Sequence, residues 1–217
     1  MIADLPSKLD LANHHADATA EDVKEVCANV LIYGFNGAFI NPYYIALARK
    51  ELGDRAKVGT ALSFPLGQDT LEMKIFAAQQ AIQLGADELD IVPNNTLLLS
   101  DEMRLIVDAA RLLRSDIIIK FILETGYLTD EQIKRGAAAI VESGADFVKI
   151  CSGMGPRGAS VNDVRLVREA VGTAPIRIKA AGGIDTLKEA QDFLAAGAQH
   201  IGTSHAVEII KELRAST

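Results

Sequence analysis

Short apolar runs of strand length alternate with longer stretches of helical spacing from one end of the chain to the other. The strand-like runs lie near 7–12, 37–41, 57–62, 87–92, 116–121, 146–150, 176–180 and 199–203. Between them, 19–33, 42–52, 70–84, 101–113, 129–143, 161–171, 186–196 and 205–214 carry apolar residues at three- and four-residue spacing. Polar starts support this division. Thr19 precedes Glu21 and Asp22, Thr70 precedes Glu72, and Ser160 precedes Asp163, which matches the donors and the positive dipole end of a helix N-terminus. Glycines such as Gly34 and Gly144 close the helical runs. The segments Leu84-Gly-Ala-Asp87, Ser143-Gly-Ala-Asp146 and Ala196-Gly-Ala-Gln199 repeat one helix-to-strand device. Strands that alternate with helices pair in parallel, and eight such units close naturally into an α/β (β/α)8 TIM barrel, here a single domain over 1–217. The competing arrangement is a doubly wound open sheet.

Composition narrows the function without choosing it. Of the 217 residues, 49% are hydrophobic and 24% charged, enough apolar surface for a large core. The net charge of −7 argues against nucleic-acid binding through a basic face. A small anion remains possible, because a few oriented backbone N–H groups hold a phosphate locally. Cys27 and Cys151 lack CxxC spacing, as expected for reduced thiols in a cytoplasmic protein. The first residues do not have the form of a secretory leader, and no window is apolar enough to predict a membrane span. Four sparse histidines, His14, His15, His200 and His205, form no metal-ligand pattern. Phe39, Tyr43 and Tyr44 are expected in the core or an interface.

The candidate chemistry lies at strand ends. Lys149 ends the sixth strand in Asp146-Phe-Val-Lys-Ile-Cys151, and Lys179 ends the seventh in Ile176-Arg-Ile-Lys-Ala-Ala-Gly-Gly183. The C-terminal strand ends of such a barrel ring the active site, so neighbouring strands aim both amines at one pocket. A second cation, with partial desolvation, lowers the pKa of the first amine and makes it nucleophilic. The alternative is that one or both amines pair with carboxylates at the barrel rim. Asp90 shares a strand face with Glu88 and is placed to move protons, or to form a structural ion pair with either lysine. Asp10 on the first strand is a further member of such a polar network. Glycine-bearing turns after strands seven and eight, at Gly182-Gly183 and Gly202-Thr-Ser-His205, suit a phosphate.

Six segments together carry a family likeness: Tyr33-Gly-Phe-Asn-Gly-Ala-Phe-Ile-Asn-Pro42, Phe64-Pro-Leu-Gly67, Gly85-Ala-Asp-Glu-Leu-Asp90, Gly144-Ala-Asp-Phe-Val-Lys149, Lys179-Ala-Ala-Gly-Gly-Ile184 and Ala196-Gly-Ala-Gln-His-Ile-Gly-Thr-Ser204. Over nearly its whole length the chain resembles the deoxyribose-phosphate aldolase family. That resemblance implies a class I lyase that cleaves 2-deoxy-D-ribose 5-phosphate to acetaldehyde and D-glyceraldehyde 3-phosphate with no metal or cofactor. It implies Lys149 as the imine-forming residue, Lys179 as its electrostatic partner and Asp90 in a proton relay. Gly182, Gly183 and Ser204 match phosphate-binding positions, and Gly202, Ser152 and Asp10 complete the expected substrate side. A homodimer is implied as well. The chain departs from the family pattern at Leu11 and Ala12, at Ile150 and Cys151 after the nucleophile, at Arg157 and at His205, and it lacks the Tyr-ended tail of some members. Arg157 and His205 either strengthen anion binding or face solvent, and Cys151 is either an accessible thiol or a packing residue. Two other functions stay open: a barrel aldolase of different sugar-phosphate or keto-acid specificity, and a barrel that binds a phosphorylated metabolite without turnover.

Overall fold

The computed structural model describes residues 4–216. The eight strands are β1 (Leu9–Asn13), β2 (Gly37–Ile40), β3 (Lys57–Leu62), β4 (Glu88–Ile91), β5 (Ile118–Ile122), β6 (Phe147–Lys149), β7 (Arg177–Ala181) and β8 (His200–Thr203). Each is followed by a helix: α1 (Ala20–Tyr33), α2 (Ile45–Leu52), α3 (Leu71–Gln83), α4 (Ser100–Leu113), α5 (Asp130–Ser143), α6 (Val161–Val171), α7 (Leu187–Ala195) and α8 (Ala206–Ala215). The strands form a closed parallel barrel in chain order. Closure is made by β1 on β8, with Asp10 opposite Gly202, so the open-sheet alternative is ruled out.

Most element boundaries fall within one or two residues of the sequence expectation, and at two of those that differ proline is the reason. The first strand begins at Leu9 because Pro6–Lys8 winds into a short 3-10 turn. The second helical stretch divides into a 3-10 turn at Pro42–Tyr44 and α2. Proline has no N–H to lose at a first helical position, so it starts such turns readily.

The expected helix caps are present. Thr19 with Asp22 and Ser160 with Asp163 form reciprocal capping boxes, and Thr70 accepts from the Met73 N–H. Gly34 and Gly144 end α1 and α5 at φ 72° and 79°, a conformation that costs a side-chain-bearing residue free energy. The Gly-Ala-Asp/Gln device has a second function. Asp87 accepts the Val58 N–H at 2.8 Å, Asp146 the Ile119 N–H at 2.8 Å, and Gln199 the Ile178 N–H at 2.7 Å. The start of β4, β6 and β8 is thus tied by a side chain to the preceding strand.

Outward-facing Leu89, Ile91, Val148, Ile178 and Ile201 are fully buried under the helices, and they form the apolar core with Val23, Val30, Ala48 and Val164. The barrel interior is different. Barrel interiors are usually filled by branched aliphatic side chains, whereas here Asp10, Glu88, Asp90, Lys120, Lys149 and Lys179 are all buried inside. Among the described residues, no helix is long and apolar enough to cross a membrane.

Candidate active site

Strand register assembles the site. Lys149 stands opposite Lys179 across β6 and β7, and Asp90 opposite Lys120 across β4 and β5. Asp90 is completely buried and accepts from both strand-end amines on one oxygen: Oδ2 lies 2.8 Å from Lys149 Nζ and 2.9 Å from Lys179 Nζ. The two nitrogens therefore share one compartment. Lys120 Nζ holds the other oxygen of Asp90 at 3.1 Å and also pairs with Glu88. Lys179 Nζ lies 2.7 Å from Asp10, and Lys57 Nζ lies 2.7 Å from Glu88.

Counting partners then picks out the reactive group. Inside the barrel Lys120, Lys149 and Lys179 face Asp10, Glu88 and Asp90, three amines against three carboxylates, and the partly exposed Lys57 also reaches Glu88. A buried ammonium is costly unless it is well paired, so the amine with the fewest carboxylates is the one most easily left neutral. Lys149 has one carboxylate partner, whereas Lys120 and Lys179 each have two. Burial pushes the Lys149 pKa down, Asp90 opposes this, and the ammoniums of Lys179 and Lys120 add to the fall, so the net direction is down. Burial thus leads and the second cation assists, a reversal of the order expected from sequence. Asp90 is the converse case. Burial alone would raise its pKa, but Lys120, Lys149 and Lys179 together hold it well below the ordinary carboxylate range. The paired-carboxylate alternative is correct as to pairing, but the pairs lie inside the barrel rather than at its rim.

Sequence reading missed part of this centre. Lys120 is fully buried and its pKa is raised, because Asp90 and Glu88 outweigh the burial that would lower it. A lone cation inside the apolar run Ile117-Ile-Ile-Lys-Phe-Ile122 was the available signal. Phe39 is buried, as expected, but it also borders the cavity. Its ring centroid is 3.5 Å from Lys179 Nζ and 4.4 Å from Lys120 Nζ, so the aromatic face supports both ammoniums. A Cβ on Gly59, its partner across β2 and β3, would lie 2.2 Å from that ring. Tyr43 is exposed and so lies outside the core, which leaves the interface alternative for it, and the Tyr44 hydroxyl donates to the Ala18 carbonyl.

A cavity of about 180 Å³ opens above the two amines at the C-terminal end of the barrel. Gly182, Gly183, Gly202, Ser204 and Ser152 all line it, together with Lys149 and Lys179. Gly182 has φ 94°, and a Cβ there would lie 3.0 Å from Gly153 Cα, so two glycine backbones meet at this wall. Gly202 makes room for Lys179: a Cβ would lie 2.8 Å from Lys179 Cε. Ser152 is positioned by Glu124, whose carboxylate accepts its N–H at 3.0 Å. Asp10 and Asp90 are not on the cavity wall. They lie beneath it, so Asp10 holds Lys179 and the Asn36 amide instead of facing a ligand.

The departing residues also find places. Arg157 is exposed and stands off the cavity wall: it forms a two-pronged pair with Asp163 at 2.6 and 3.0 Å and donates to the Thr125 carbonyl, bracing the loop after β6. His205 Nδ1 lies 3.1 Å from Asp185, a carboxylate on the cavity wall. Cys151 is fully buried against Thr125, and burial pushes its thiol up to about 11, which makes it a packing residue. Among the described residues, no group of three or more His, Cys, Asp or Glu side chains is arranged to hold a metal ion.

Fold and site together define a (β/α)8-barrel enzyme whose open end presents one weakly partnered amine over a charged floor. Residues 6–208 match the model of the DeoC/LacD family aldolases, and the chain belongs to that family and so to the aldehyde-lyases. It is 39% identical over 210 residues to the deoxyribose-phosphate aldolase of Mycoplasmoides gallisepticum, covering 95% of this chain and 93% of the relative. The corresponding protein of Caldanaerobacter subterraneus subsp. tengcongensis is 41% identical over 203 residues, covering 90% and 87%. Among solved structures, the deoxyribose phosphate aldolase of Aeropyrum pernix, described as a tetramer, superposes with a TM-score of 0.90 at 31% identity, covering 99% of this chain and 92% of that one.

Proposed function

We propose that this protein is a single-domain class I aldolase that reversibly cleaves 2-deoxy-D-ribose 5-phosphate to acetaldehyde and D-glyceraldehyde 3-phosphate through an imine on Lys149. The observation that carries this reading is the shared Asp90 oxygen, which holds Lys149 and Lys179 together while leaving Lys149 the least-partnered of the three buried amines. The neutral amine adds to C1 of the open-chain sugar, and loss of water gives the iminium. The C2–C3 bond then breaks toward that electron sink as the C3 hydroxyl gives up its proton. D-Glyceraldehyde 3-phosphate leaves, the enamine takes a proton at C2, and water releases acetaldehyde and the free amine. Asp90 touches both nitrogens and is the path by which a proton leaves one and reaches the other. Gly182, Gly183, Gly202 and Ser204 bind the phosphate, with Ser152 on the facing wall. No metal or organic cofactor enters this scheme.

Borohydride reduction in the presence of acetaldehyde tests the reading. It should leave an ethyl group on Lys149, located by peptide mass spectrometry, and the enzyme should turn over 2-deoxyribose 5-phosphate. An unlabelled Lys149, or no turnover of that sugar, refutes it. The reading extends to a cytoplasmic role in deoxyribonucleotide catabolism, which the buried free thiols of Cys27 and Cys151 support. It also includes a homodimer, and light scattering counts the subunits.

A further inference from the structure

We propose that His14 binds the hydroxylated half of the substrate, its imidazole hydrogen-bonding a hydroxyl of the aldehyde fragment that leaves when the carbon–carbon bond breaks. The proposal rests on the Lys149 aldolase reading. His14 directly follows β1 and borders the same cavity as Lys149 and Lys179. Both ring nitrogens are buried, and neither makes a well-aligned hydrogen bond, although the Asn41 side chain lies close to the ring. The ring packs against Phe64, with centroids 5.2 Å apart, and this contact fixes its plane without using either nitrogen. The nearby Asn41 amide donates instead to the His15 carbonyl at 2.9 Å, which ties down the segment carrying the imidazole.

An imidazole with two unused nitrogens beside a cavity calls for a ligand of definite chemistry. Burial, reinforced by the Lys149 ammonium, pushes the His14 pKa down to about 3, so the ring is neutral at working pH. A neutral imidazole offers one donor and one acceptor and no charge. It therefore suits a hydroxyl, which can both give and take a hydrogen bond, better than a phosphate or carboxylate. Leaving a buried polar group unpaired is unfavourable, and a bound hydroxyl would remove that penalty. The glycines suited to phosphate lie in the turn after β7 and on β8, and His14 extends the same cavity wall from the end of β1.

The test compares the wild type with His14→Leu and His14→Asn on two substrates. Acetaldehyde has no hydroxyl and reports imine formation alone, by borohydride trapping on Lys149. 2-Deoxyribose 5-phosphate engages the whole cavity. His14→Leu should lower kcat/KM for the sugar phosphate by about 10- to 100-fold, the value of one lost buried hydrogen bond. Acetaldehyde trapping should be unchanged, and His14→Asn should recover part of the loss. Sugar turnover unaffected in His14→Leu overturns the proposal. So does an equal loss of acetaldehyde trapping in both variants, which would make His14 a support for Lys149 rather than a ligand contact. If wild-type Lys149 is not trapped at all, the aldolase reading fails first and takes this proposal with it.

Discussion

Replacing Lys179 with Met removes one ammonium from the pair that meets on Asp90 while keeping a stem of similar length. Two donors on a single acceptor oxygen stand roughly 5 Å apart. At that separation, with an effective dielectric of about 20, two positive charges repel by about 3 kcal/mol. Both side chains are at least 96% buried, so solvent screens little of this. Withdrawing the repulsion makes Lys149 easier to protonate, and the neutral fraction at a fixed neutral pH falls about a hundredfold. Asp10, left with the Asn36 amide and the His200 ring beside it, adds a negative potential in the same direction. The assay is the pH dependence of kcat/KM together with the rate of borohydride trapping. The acid limb of Lys179→Met should move to higher pH and activity should return as pH rises, whereas Lys179→Arg should keep the wild-type limb. If Lys179→Met lowers activity equally at every pH, the electrostatic account is wrong and Lys179 acts as an obligatory proton donor.

Further outcomes follow from the same geometry. Lys120→Met leaves Glu88 and Asp90 short of a buried counter-charge and should cost about 3–5 kcal/mol of stability, read from the urea unfolding midpoint; an unchanged midpoint refutes the pairing. Gly202→Ala pushes on Lys179 Cε and should lower kcat by up to about a hundredfold with little change in melting temperature. Normal turnover in that variant would show that the lysine stem has slack. The carboxylates of Asp10, Glu88 and Asp90 all have folded pKa values below their unfolded ones, so their stabilisation is complete above about pH 4–5 and is lost as pH falls below that. Urea midpoints should begin to drop at about pH 5 and keep dropping below about pH 3, as pH falls toward the folded pKa values, and a flat series would contradict the ion network.

The barrel and its caps were legible because they rest on local chemistry: the eight-fold alternation, the Thr19 and Ser160 boxes and the glycine stops act within a few residues. Lys149, Lys179 and Asp90 were legible because a charged group at the end of an apolar strand is conspicuous. Depth was not. Asp10 was expected on the substrate side, yet it lies under the floor beside Asp90, since alternation tells the face of a strand and not the layer within the barrel. Arg157 was unreadable for a different reason: its partner Asp163 already serves as a helix cap, and nothing in a capping motif announces a second bond. Lys120 was missed because the surrounding apolar run describes the strand so well that its one charged residue drew no notice.

The side chains that tie β3 to β4, β5 to β6 and β7 to β8 stand at the N-terminal ends of the strands, and Arg49, Arg111 and Arg114 reinforce the acids there. The reacting amines open at the other end. Cohesion and chemistry therefore occupy opposite poles of the same cylinder, so loops over the mouth can be reshaped for new aldehydes while the base that holds the staves is left alone.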